Sequence, residues 1–127
     1  GPDAAIGVMS RSCYDVGLKD GTRIVDEFKI AGKDPWSAGM PTIIAAEVMG
    51  IKYKPQEVTE TKYVSINTDC PYAGISDDVN VKKLACKICE QYTTGLVHAV
   101  SKDYKMEIPK RIANGDAQCM FVIEKKH

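Results

Sequence analysis

Histidine is nearly absent, with only His98 and the terminal His127 in 127 residues. A histidine-built metal centre or a Cys–His catalytic pair would rest on His98 alone. An excess of one charge is also lacking, since 17 basic residues balance 17 acidic ones. Gripping a nucleic-acid backbone needs a basic surface, so nucleic acid is not an expected partner. A membrane surface is disfavoured for the same reason. No apolar run approaches the roughly 20 residues of a membrane span. The longest, MPTIIAAEVMGI, is interrupted by Glu47. GxSxG, the P-loop, HExxH and the dinucleotide fingerprint are all missing. No secretory signal is visible. The chain opens Gly1-Pro2 without an initiator Met, as it would after protease cleavage.

What remains is a globular composition, 44% hydrophobic and 27% charged. At this length it predicts one domain over residues 1–127 with a real core. There are five cysteines, Cys13, Cys70, Cys86, Cys89 and Cys119. An odd count with no signal peptide favours a reducing compartment, so a cytoplasmic location is expected.

Periodicity predicts the elements. Asp3 caps a first helix with Ile6, Met9, Cys13 and Val16 inward and Gly17 as its stop. A second follows, with Ile24, Val25 and Phe28 inward. Asp34-Pro35 starts a third, which Pro41 breaks or restarts and Gly50 ends. From Ile51 the period shifts to that of a strand pair, or of one long strand after a short one, with Pro55 in the connection and alternation through Val58, Lys62, Val64 and Ile66. CPYAG, from Cys70 to Gly74, is a turn. Ser76 and the acidic Asp77 and Asp78 open the longest helix, striped by Val81, Leu84, Ile88, Tyr92 and Leu96. A strand follows, marked by Pro109 as an edge or a bulge. Asn114-Gly115-Asp116 turns the hairpin. The last strand puts Cys119, Phe121 and Ile123 on one face. The fold class is α+β, an antiparallel sheet packed against helices, with a long helix in the C-terminal half followed by a closing β-hairpin.

Cys86 and Cys89 are neighbours on the surface of that helix. Cys70 lies before it, and Cys119 lies on a strand able to pack on it. If the four sulfurs Cys70, Cys86, Cys89 and Cys119 converge, they suit zinc or an iron–sulfur cluster. Otherwise they are core thiols, or one is a nucleophile. Asp69 and Asp116 sit at turns, where Asp accepts backbone hydrogen bonds; either could instead orient a water. Glu90 is a solvated helix residue or an acid beside a thiol. His98 complements the helix dipole or acts as a base. Trp36, Tyr53, Tyr63, Tyr72, Tyr92 and Tyr104 are ordinary aromatics or the lining of an apolar pocket.

DCPYAG, CKICEQYTTGLV and RIANGDAQCMFVI together resemble the family of L-2-amino-thiazoline-4-carboxylic acid hydrolases, over roughly residues 60 to 126. The resemblance implies a site of Cys70, Cys89 with Glu90, Asp116 and Cys119, with Gly115, Phe121 and Arg111 in the hairpin motif. It implies hydrolysis of a small cyclic amidine-like substrate, or of another non-peptide C–N bond. One thiolate would attack the ring carbon, or a thiolate-held metal would activate water. Asp116 and Glu90 would then act as acid–base or water-positioning groups. The ending is similar to that of 4-vinyl reductase domains, which bind small hydrophobic molecules and in some cases hold zinc. In those a cysteine stands just before the hairpin turn, where this chain has Arg111. The alternatives are a binding or sensing module without turnover, or a cysteine-ligated zinc or iron–sulfur protein. The expected partner is a small molecule, and a homodimer is left open.

Overall fold

The computed structural model describes residues 2–70 and 77–126, with only the backbone at residues 2, 3, 5 and 6. The expected roles of Asp3, Ile6, Tyr72 and Ser76, and most of the CPYAG turn, lie outside what is described. The order is α1 (Pro2–Glu27), α2 (Pro35–Met49), β1 (Tyr53–Val58), β2 (Lys62–Asn67), α3 (Val79–Val100), β3 (Tyr104–Lys110) and β4 (Cys119–Lys125). The strands form one antiparallel sheet in the order β1-β2-β4-β3. Among the described residues, three helices with a four-stranded sheet make the expected α+β class. Among the described residues, no helix is long and apolar enough to cross a membrane.

Helix α1 corrects the first two predicted helices, which are one. Gly17 does not stop it; instead α1 lies so close to α3 there that a Cβ would collide with the Tyr92 carbonyl. The same approach occurs from the other side at Gly95, where a Cβ would strike the Tyr14 carbonyl and lie 2.6 Å from the Leu18 nitrogen. These glycines were bought by packing, since glycine within a helix otherwise costs about 1 kcal/mol. The joined helix turns Met9 and Val16 outward, at 42% and 52% exposure, and Phe28, just beyond its end, is 58% exposed rather than inward. Ile24 and Val25 do pack on the core.

Helix α2 begins as predicted. Asp34 caps it by accepting from the Ser37 N–H and hydroxyl, at 3.3 and 2.6 Å. Gly50 closes it at φ 72°. Pro41 does not break it: the helix continues through the proline, which is fully buried. Pro55 sits inside β1, not in a connection. It is tolerated because β1 is an edge strand whose register shifts between Pro55 and Glu57. Pro109 has both predicted properties, on edge strand β3 with a shift between Glu107 and Lys110.

Helix α3 starts with Asp78, which accepts from the Asn80 N–H at 2.8 Å. Its predicted stripe holds at Leu96, but Val81 is 42% exposed. The β3–β4 connection is longer than an Asn-Gly hairpin. Residues Ile112–Asn114 form a 3-10 turn, and only Gly115 takes positive φ, at 96°. The core gathers Ile30, Ala38, Tyr63, Val97, Val100, Tyr104, Met106, Ile108 and Ile123 where α2 and α3 meet the sheet.

Candidate functional site

Two neighbouring features share α3. The first is a polar clasp that fastens the β3–β4 connection to the helix. Arg111 leaves β3 and turns back. Its Nε donates to the Ile108 carbonyl at 3.1 Å, Nη1 to Cys86 Sγ at 3.1 Å and Nη2 to Glu90 Oε2 at 2.8 Å. Its own N–H donates to Asp116 Oδ2 at 2.8 Å. The Ile112 N–H reaches Cys119 Sγ at 3.4 Å. Burial alone would lower the Arg111 pKa, but its bonds to Glu90 and Cys86 raise it. Glu90 is therefore not a solvated helix residue. Asp116 is a turn acceptor, as is Asp69, which accepts from the Lys52 N–H at 2.8 Å.

The sequence-predicted cysteines are brought together. Cys70, Cys86 and Cys119 all lie near enough to act on Cys89 electrostatically. All five cysteines are free thiols. Among the described residues, however, no group of three or more His, Cys, Asp or Glu is arranged to hold a metal ion. The Cys70, Cys86, Cys89 and Cys119 set therefore does not support the expected zinc or iron–sulfur chemistry, and a guanidinium occupies its edge. Nor are Cys89 and Cys119 activated. Burial pushes Cys89 up to about 12, against a weak bond to Thr93 and with help from the neighbouring sulfurs. Burial also raises Cys119. A thiol must ionise to attack, and these are held neutral. His98 does not reach them: Tyr14 Oη lies 2.7 Å from its Nδ1, and the Tyr104 carbonyl lies 2.9 Å from Nε2. A carbonyl only accepts, so Nε2 carries the proton and Nδ1 accepts from Tyr14. Burial keeps that ring neutral.

The second feature is a cavity of about 70 Å³ between the sheet and helices α2 and α3. One water needs roughly 10–15 Å³ on the same measure, so the space admits a small molecule. Ile43, Ala46, Leu96, Phe121 and Ile123 give it apolar walls. Tyr63, Ser65 and Asn67 face it because alternate residues of β2 share a side. Cys89 and Thr93 line it one helical turn apart on α3, so Cys89 joins the neighbouring sulfurs to the cavity.

Three of the six predicted aromatics line this space, Tyr53, Tyr63 and Tyr92. Tyr53 Oη donates to Glu47 at 2.9 Å, and Tyr92 Oη to Asp20 at 2.8 Å. Tyr63 differs. It is wholly buried, its ring meets Trp36 edge-on at 5.3 Å, and among the described residues its hydroxyl has no hydrogen-bond partner. Ser65 lies near enough to act on the phenol but not in bonding geometry; burial dominates and raises its pKa. Tyr104 belongs to the core, donating to the Lys33 carbonyl at 2.7 Å. Ser65, Asn67 and Thr93 were missed in the sequence. The alternation Tyr63, Ser65, Asn67 was the available signal, a polar face within a strand of buried residues.

Residues 1–123 match the family of L-2-amino-thiazoline-4-carboxylic acid hydrolases. The chain belongs to that family. The match takes in the N-terminal helices, which the sequence motifs alone did not reach. Among curated proteins nothing matches. Among solved structures, the family member resembles subunit 3 of a trafficking protein particle complex from Naegleria fowleri, covalently bound to palmitic acid. That likeness has a TM-score of 0.66 at 18% identity, over 96% of this chain and 82% of that one. It also resembles the phenol-responsive sensory domain of the transcription activator PoxR with phenol. There the TM-score is 0.65 at 14% identity, over 95% of this chain and 64% of that one. A third likeness, at TM-score 0.52 and 15% identity, is to an Fe(II) unliganded H-NOX protein from K. algicida, over 93% of this chain and 63% of that one. The chain thus spans less than two thirds of the latter two. At such identities these likenesses establish the shared fold.

Proposed function

We propose that this member of the hydrolase family is a small-molecule-binding domain, with its ligand in the cavity between the sheet and helices α2 and α3. The observation that carries this reading is the Tyr63 hydroxyl, buried without a partner in a mostly apolar space. Leaving such a group unsatisfied costs about 1–3 kcal/mol. A ligand bearing one hydrogen-bonding group removes that cost on binding, and its apolar body gains from leaving water. The cavity volume of about 70 Å³ makes phenol a suitable probe. Two of the folds it resembles were solved with a small or apolar molecule bound.

The test is a phenol titration followed by backbone NMR shifts. Saturable shifts confined to residues lining the cavity on β1, β2, β4, α2 and α3 are expected. Shifts scattered over the surface, or none up to the solubility limits of phenol and benzyl alcohol, would sink the reading.

A second reading, hydrolysis of a cyclic amidine-like carbon–nitrogen bond, is favoured by family membership and by the grouping of Cys70, Cys89 and Cys119 with Glu90 and Asp116. It requires one of these thiols to ionise on substrate binding, and it requires Glu90 or Asp116 to leave Arg111. Turnover of L-2-amino-thiazoline-4-carboxylic acid by the purified chain, abolished in Cys119→Ser with the fold intact, would establish it. No turnover by the unaltered chain removes this reading, and full activity in Cys119→Ser removes Cys119 from the chemistry.

A further inference from the structure

We propose that the ligand of this cavity is uncharged at neutral pH: a ring-sized apolar body carrying one hydroxyl or carbonyl that meets Tyr63 Oη. The inference rests on the binding reading above and adds the chemical class of what is bound. It also separates this chain's ligand from the carboxylic acid for which its family is named, since such an acid is ionised at neutral pH.

The argument is one of missing counter-charges. Every residue that lines the cavity is apolar or neutral. The polar side chains of the lining residues, Tyr63, Ser65, Asn67 and Thr93 among them, carry hydroxyls and one amide, and Cys89 is held as the neutral thiol. A buried charge without a partner is far costlier than a buried dipole. Arg111 beside Cys86 is the cation of the neighbouring clasp, and its nitrogens are engaged by Ile108, Cys86 and Glu90. The segment 71–76, PYAGIS, contains no Lys, Arg or His. Two carboxylates, Glu47 and Asp20, stand behind the hydroxyls of Tyr53 and Tyr92. Their negative potential further disfavours an anion. They accept from tyrosines and do not line the cavity, so a cation has no direct partner either.

The experiment compares ligands of one size and different charge by calorimetry at pH 7: benzyl alcohol, benzoate and benzylamine, with toluene as the ring lacking a polar group. Benzyl alcohol is expected to bind at least tenfold more tightly than either ion. In Tyr63→Phe the alcohol should weaken about fivefold to tenfold while toluene is unchanged. Benzoate or benzylamine binding as tightly as the alcohol would overturn the charge assignment while leaving the cavity a binding site. Equal loss of alcohol and toluene in Tyr63→Phe would overturn the Tyr63 contact. If none of the four binds, the binding reading itself falls, and this inference with it.

Discussion

From Thr93 to Val100, helix α3 buries Thr93, Gly95, Leu96, Val97 and Val100; from Val79 to Gln91 no residue of it is fully buried. Val79 and Val81 in that first half are exposed at 56% and 42%. The second half is held by close backbone approach to α1 and by the core. The first half is held to the sheet by side chains, with Arg111 spanning Cys86 and Glu90. Packed helix faces are stiff, whereas a polar clasp can be remade. The thiols, the clasp and one wall of the cavity lie toward the looser half, which is where a site that must admit a ligand is expected.

The comparison is broken most strongly at the packed end. Gly95→Ala should destabilise by about 3 kcal/mol in urea unfolding, because its methyl meets backbone that cannot yield. Gly7→Ala is the contrast, in open space on α1: it should be neutral or stabilise by about 0.5–1 kcal/mol. Equal losses at the two positions would mean that α1 does not pack as described.

The clasp should matter less. Arg111→Leu is expected to cost about 2 kcal/mol, since it strands Glu90 in a pair whose side chains are 21% and 25% exposed. A double-mutant cycle with Glu90→Gln should show coupling above about 0.5 kcal/mol. Independent effects would reduce the clasp to a surface contact.

The smallest effect has the opposite sign. Tyr63→Phe, free of ligand, should leave stability unchanged or raise it by about 1 kcal/mol, because it deletes a buried hydroxyl without a partner. A loss of 2 kcal/mol would show that the hydroxyl is satisfied in solution, and the proposed ligand contact would go with it.

Much of the fold was legible along the chain. Asp34-Pro35, Gly50, the period shift after Ile51 and the stripe around Leu96 are local signals, and each marks the element it predicts. The failures share one cause. Local propensity makes Gly17 a stop, Pro41 a break or restart and Pro55 part of a connection. Each is overridden by a neighbour distant in sequence: the Tyr92 carbonyl beside Gly17, the buried seat of Pro41, the free edge beside Pro55.

The candidate site divides along the same line. The residues alone marked Cys70, Cys86, Cys89 and Cys119 as a candidate group, and the family resemblance added Glu90, Asp116 and Arg111. That the guanidinium lies against Cys86 and Glu90, and that Cys89 and Cys119 are held neutral, follows from distances and burial that only packing sets. The cavity is further from view still. Tyr63 and Ser65 are ordinary strand residues until β4, α2 and α3 close around them. The chain by itself determined which elements form and which reactive side chains it carries, because those depend on neighbours within a few residues. The tertiary structure alone decided which polar groups are paired and that, among the buried side chains of the described residues, the Tyr63 hydroxyl is left without a partner, because pairing and desolvation depend on elements far apart in the chain.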